Sequence, residues 1–354
     1  MNVTHRFAYT VFAAFLMFPV MVPAQNSQQQ FAPLGDFQLE SGEVITDCRI
    51  GYRVFGELNA TKSNAILFTP WFTATSQEMA DLVGPGKYAD SSKYYVIAVD
   101  ALGNGVSSSP SNSKKQPRMH FPRFSIRDMV NTEHELLADY LHIPHLRAVM
   151  GISMGGMQAL QWQVSYPDFI DQSISIEGTP RPTAYDLLVW QSLIEANTND
   201  PAWKNGDYQE QPPLGARTVA EILNVVLSTP ESYNQENSRE KWQDAISQMQ
   251  KDALAEDANN CIRQLQAIMG QDITAAFGES LPRAAQAFHG RQLIVVTNGD
   301  HMVNPAPALE FAKLAKADVF VVKDGCGHMS PHLCEKERVE KEVESFLAGA
   351  SHEP

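Results

Sequence analysis

Residues Leu146–Leu160 read LRAVMGISMGGMQAL, an apolar run that enters Gly-Ile-Ser-Met-Gly-Gly and continues without a helix breaker after Gly156. Gly151, Ser153 and Gly155 form G-x-S-x-G, the pattern of a nucleophile elbow, in which a sharp strand-to-helix turn lifts a serine above the end of a sheet. A side chain at either glycine would collide with the neighbouring strand or helix in so tight a turn. The pattern alone is weak, because Gly and Ser are common residues. Its setting is what carries weight: four of the five residues before Gly151 are apolar, and Gly156–Gln163 suits a helix. Ser153 is the candidate nucleophile, and the competing reading is an ordinary turn serine.

Short apolar runs lie to either side of the elbow. Ala65–Thr69, Tyr94–Asp100, Ser173–Ile176, Gln292–Thr297 and Asp318–Val322 read as strands, and Phe37–Leu58 as a hairpin turning at Ser41-Gly42. Helical spacing marks Phe124–Leu141, a helix near Ala306–Ala315, and a C-terminal helix Glu335–Leu347. Continuously apolar strands alternating with helices indicate an α/β fold, a mostly parallel sheet covered on both faces. Strand-like runs stop between Thr179 and Gly290, where the sequence is helical and polar. That stretch reads as a helical lid inserted between the sixth and seventh strands. The expected organisation is a core of residues 35–178 and 291–354 with a lid at 179–290.

A serine hydroxyl needs a base to take its proton, and the base needs an acid to fix its tautomer. After a nucleophile elbow these follow in the order acid, then histidine. Strand QLIVVT leads into Asn298-Gly299-Asp300, and strand DVFVV leads into Lys323-Asp324-Gly325-Cys326-Gly327-His328. Asp300 and His328 are therefore the expected acid and base. Asp324 follows the wrong strand, His301 comes too early, His332 lies four residues on past Pro331, and His352 is in the tail. The tetrahedral intermediate needs two backbone N–H donors. Met154, the residue after the nucleophile, supplies one. Thr69–Ala74 after the third strand supplies the other, with Phe72 the first candidate and Thr73 the next.

Several further segments resemble the homoserine O-acetyltransferase-like branch of the α/β-hydrolases, and the resemblance runs from about Gly35 to the end. They are LVGPGKYADSSKYYVIAVDALGNGVSSSPSNS, FPRFSIRDMVNTEHELLADYLHI, GISMGGMQALQW, NDPAWKNGDY and DANNCI. The resemblance implies an α/β-hydrolase fold with an inserted lid, and its triad falls on Ser153, Asp300 and His328. Two departures bear on the substrate. The transferases' H-A-L-T-G loop is replaced by Pro70-Trp-Phe-Thr-Ala74. The arginine and tyrosine that help hold the homoserine carboxylate have no counterpart in Thr218–Thr229, TVAEILNVVLST. A buried carboxylate without a charge-assisted donor is costly.

The N-terminus carries Arg6, an apolar run from Phe7 to Val22, and Val22 and Ala24 at the small positions of a cleavage site. This reads as a signal peptide over 1–24, followed by a Gln-rich disordered leader over 25–34 and implying a periplasmic or extracellular protein. A net charge of −14 argues against nucleic-acid binding and against anionic membrane surfaces. None of Cys48, Cys261, Cys326 and Cys334 has metal-ligand spacing, and no cofactor or metal is expected. Cys326 and Cys334 bracket His328, where a bridge would brace the loop; free buried thiols are the alternative. The expected function is acyl transfer to water from small acyl esters through an acyl-serine. The rivals are homoserine O-acetyltransferase activity with acetyl-CoA and a non-catalytic binding protein on a hydrolase fold. The lid is also where a homodimer would form.

Overall fold

The computed structural model of the chain describes residues 28–323 and 325–349. The expected signal segment, the first leader residues, Asp324 and His352 lie outside the described residues. Eight strands form one sheet in the order β1-β2-β4-β3-β5-β6-β7-β8. β1 (Gln30–Gln38) and β2 (Val44–Phe55) pair antiparallel, and β2 meets β4 (Tyr95–Val99) antiparallel. From β4 onward every pairing is parallel, through β3 (Ala65–Thr69), β5 (Leu146–Ile152), β6 (Ile170–Ile176), β7 (Arg291–Thr297) and β8 (Asp318–Val322).

Of the disordered leader expected over 25–34, residues 30–34 are corrected by β1, whose pairing begins at Gln30↔Tyr52. Glutamine-rich composition hid an edge strand that is stabilised by its partner rather than by its own pattern. Tyr52 donates its hydroxyl to Gln30 Oε1, the Arg49 guanidinium lies over the Phe31 ring, and Ala32 is fully buried.

Alternate residues of the central strands go to opposite faces. Leu67, Ile97 and Val149 join one apolar cluster, and Ile66, Phe68, Ala98 and Met150 join the other. Burial on both sides explains why these strands read as unbroken apolar runs. A short α1 (Ser76–Met79) packs on the second face with α11 (Lys336–Leu347). The first face takes α2 (Ile126–Glu135) and α3 (Met154–Ser165). α2 begins at a Ser125/Asp128 capping box, two residues later than its sequence suggests, and its C-terminal end widens into a π-turn at Leu136–Tyr140. Trp162 of α3 donates its indole N–H to Glu133 of α2, whose carboxyl burial pushes up to about 8.

Six helices lie between β6 and β7: α4 (Ala184–Thr198), α5 (Pro213–Leu227), α6 (Pro230–Glu236), α7 (Trp242–Asp252), α8 (Ala258–Met269) and α9 (Leu281–Ala285). They occupy the stretch expected as an inserted lid. α8 is its anchor, with Arg263 donating to the carbonyls of Met119 and Phe121 and Gln264 Nε2 donating to Leu102 O. The core continues with α10 (Ala306–Ala315) between β7 and β8. Among the described residues no helix is long and apolar enough to cross a membrane.

Candidate active site

Parallel register lines up the C-terminal ends of three neighbouring strands. Ile152 of β5 sits beside Ile176 of β6, and Ile176 beside Val295 of β7. The residues just beyond are tied across: Ser153 N donates to Ile176 O and Glu177 N to Val295 O, each at 2.8 Å. Ser153 adopts φ 58° and ψ −118°, a strained conformation for a residue with a side chain, held because the elbow is locked from outside. Thr69 Oγ1 donates to Met150 O and Gly155 O, clamping β3 against the turn. A Cβ on Gly155 would lie 2.3 Å from Thr69 O, and one on Gly151 only 2.2 Å from Thr69 Oγ1, so both glycines are required by contact.

The three expected side chains meet here. His328 Nε2 is 2.8 Å from Ser153 Oγ, and His328 Nδ1 is 2.7 Å from Asp300 Oδ2; all three residues are buried. Asp300 Oδ1 accepts the backbone N–H groups of Met302 and Val303, which fixes the carboxylate's orientation. Burial disfavours a charged His328 ring, but the neighbouring Asp300 and Glu177 carboxyls outweigh it and push the pKa up to about 9. Gly327, at φ 80°, lets the loop turn beneath the end of α5, and Cys326 and Cys334 form a disulfide across it. Cys48 and Cys261 are free and buried.

The other histidines are elsewhere. His332 packs edge-on against Trp71, its pKa pushed down to about 4 by burial and by the charge of His328, and exposed His301 lies beside Tyr185. The two amide candidates after β3 also separate. Thr73 N donates to Gln264 Oε1 at 2.9 Å and so is already engaged, while Phe72 lines the cavity beside Ser153. Met154 opens α3, where the first N–H groups have no partner within the helix.

Sequence reasoning missed one residue. Glu177 directly follows β6, is wholly buried, and holds Oε2 3.4 Å from His328 Nδ1. Thr297 Oγ1 donates to its Oε1 at 2.5 Å, and burial raises its pKa well above the ordinary carboxyl range. The signal was available: Glu177 is the only acidic side chain among the residues that immediately follow β5, β6 and β7. Ligand atoms of Glu177, Asp300 and His328 lie within 4.8 Å of one another, a spacing that can hold a cation, although His328 is already engaged on both ring nitrogens.

Ser153 and His328 open onto a cavity of about 830 Å³ between core and lid. Trp71, Phe72, Val219, Leu223, Leu227 and Met249 give it apolar walls, and Glu236, Asp252 and Glu256 are among its other lining residues, which include no lysine or arginine.

The sequence profile of the alpha/beta hydrolase fold family matches residues 82–333. An ethyl acetate hydrolase from Pseudomonas veronii is 38% identical over 204 residues, covering 56% of this chain and 58% of that protein. A homoserine O-acetyltransferase from Geotalea daltonii is 35% identical over 215 residues, again 56% of this chain and 58% of the relative. The matches thus span little more than half the length of these relatives. Among solved structures, the acetyl esterase MekB superposes with a TM-score of 0.86 at 28% identity, over 92% of this chain and 98% of that one.

Proposed function

The chain belongs to the alpha/beta hydrolase fold family, and on that premise we propose that it is an exported esterase that hydrolyses small, uncharged acyl esters through an acyl-Ser153 intermediate. The observation that carries the reading is the continuous hydrogen-bonded line Ser153–His328–Asp300 at the mouth of an apolar cavity. Ser153 Oγ attacks the ester carbonyl carbon while His328 Nε2 takes its proton, and Asp300 holds the ring and its tautomer. The amides of Met154 and Phe72 receive the oxyanion. His328 then gives the proton to the departing alcohol. Water repeats the sequence on the acyl-serine, releasing the carboxylic acid and restoring Ser153.

Water is favoured over homoserine as acceptor by the cavity lining. α5 carries Arg217, but its side chain is exposed and outside the cavity lining, where α5 presents Val219 and Leu223 instead; no lysine or arginine lines the cavity to meet an amino-acid carboxylate or the phosphates of acetyl-CoA. The Cys326–Cys334 bridge supports an oxidising compartment, as does the N-terminal sequence pattern. The test is acyl release from p-nitrophenyl acetate by the purified protein, with and without homoserine. The expected outcome is turnover that homoserine does not accelerate, together with fluorophosphonate labelling that Ser153→Ala abolishes. Accumulation of O-acetylhomoserine from acetyl-CoA would establish the transferase instead, and undiminished labelling of the alanine variant would place the nucleophile elsewhere.

A further inference from the structure

We propose that Glu177 is a second acid for His328, able to take over the orienting role when Asp300 is lost; this rests on Ser153 and His328 acting as proposed above. Two carboxyl groups converge on one ring nitrogen from adjacent strands, Asp300 Oδ2 from beyond β7 at 2.7 Å and Glu177 Oε2 from the end of β6 at 3.4 Å. Glu177 is not there by slack in the chain. Its backbone is held at φ 52°, its amide is bonded to Val295 O, and Thr297 Oγ1 grips Oε1. Those restraints leave Oε2 buried and without a hydrogen bond among the described residues, facing the imidazole. A buried acceptor without a partner is costly unless the arrangement serves something.

While Asp300 is ionised, a second anion so close is disfavoured, so Glu177 holds its own proton and stands by. Removing the Asp300 carboxylate removes that repulsion. Glu177 then gives up its proton, and Oε2 has less than an ångström to close before it accepts the Nδ1–H of His328. The tautomer with a free Nε2 lone pair toward Ser153 is preserved. The charged or titratable groups facing the imidazole are Asp300, Glu177 and His332, and His332 stays neutral against Trp71.

A double-mutant cycle on the full chain tests this. Asp300→Ala is expected to lower kcat about 10²-fold and Asp300→Ala/Glu177→Gln about 10⁴-fold, the scale of loss when a triad loses its tautomer. Glu177→Gln with Asp300 present costs only a few-fold. The acid limb of kcat/KM in Asp300→Ala should move to lower pH when Glu177→Gln is added, a shift that a purely structural role would not produce. Unfolding curves recorded for each variant establish that the sites compared are folded; if Asp300→Ala does not fold, Asp300→Ser, whose hydroxyl keeps an acceptor near the Met302 and Val303 amides and is too short to engage His328 Nδ1, is read in its place. A single Asp300 variant as inactive as the double variant overturns the proposal. Loss of activity in Ser153→Ala alongside that result leaves the esterase reading standing, whereas full activity in Ser153→Ala removes both.

Discussion

A general base works only while its accepting nitrogen is free of a proton. For His328, burial opposes the charged ring, but the Asp300 carboxylate favours it more, with the protonated Glu177 a lesser contributor, so the neutral form prevails only at higher pH than for an ordinary histidine. The rate should therefore rise with pH through the alkaline range. We expect the acid limb of kcat/KM for a neutral ester to have its midpoint well above 6.5 and toward 9. A midpoint at or below 6.5 would show that the Asp300 carboxylate does not act on His328 as its distance implies. His332 offers the matched control, because it lines the same cavity without touching Ser153 or Asp300. His332→Phe should leave kcat within a few-fold, whereas His328→Ala should lower it by roughly three orders of magnitude or more; equal losses would contradict the assignment.

Two elements set the elbow, and each has its own measurable consequence. Gly155→Ala would press a methyl group into the β3 carbonyl of Thr69, which neither the strand nor α3 can yield, so a loss of about 3 kcal/mol or more is expected in denaturant unfolding. Behind the elbow, Glu133 is wholly buried between α2 and α3 with its pKa pushed up to about 8 by burial. A carboxyl whose folded value lies above its unfolded one stabilises the fold below about 4.5, and that contribution is lost as pH rises through the folded value. Thermal stability should fall between pH 5 and about 8, and Glu133→Gln should flatten the decline; an unchanged slope would assign it to other groups. These elements also show what the sequence could disclose. The sheet and the elbow were legible because strands buried on both faces are apolar without a break and because a crowded turn admits only glycine. The acid and histidine followed from strand order. Glu177 was marked only as the acidic residue one past an apolar run, a signal that means something once the strand ends are known, and the edge strand β1 was not legible because it is stabilised by its neighbour's backbone. The cavity lining stayed hidden for a related reason, since it depends on how α5 and α7 pack over the core.

The molecule as a whole relies on one covalent tie close to its chemistry. Cys326 and Cys334 close a loop of eight residues around His328, with the Cys326 amide donating to Cys334 Sγ. Chain-entropy reasoning puts its worth at roughly 2.5 kcal/mol. Reduction or Cys334→Ser should lower Tm by several degrees and slow turnover further through a looser His328; identical melting and turnover with and without reductant would contradict this. The cavity also bears on what happens after catalysis. The proposed hydrolysis would turn an uncharged guest into an anion, and the space that held the guest has Glu236, Asp252 and Glu256 at its walls and no lysine or arginine beside them. The newly formed acid leaves against no attraction and down an electrostatic gradient, in a protein whose net charge is −14. If the site hydrolyses esters as proposed, it expels what it makes, and acetate or butyrate added to the medium should be a feeble inhibitor.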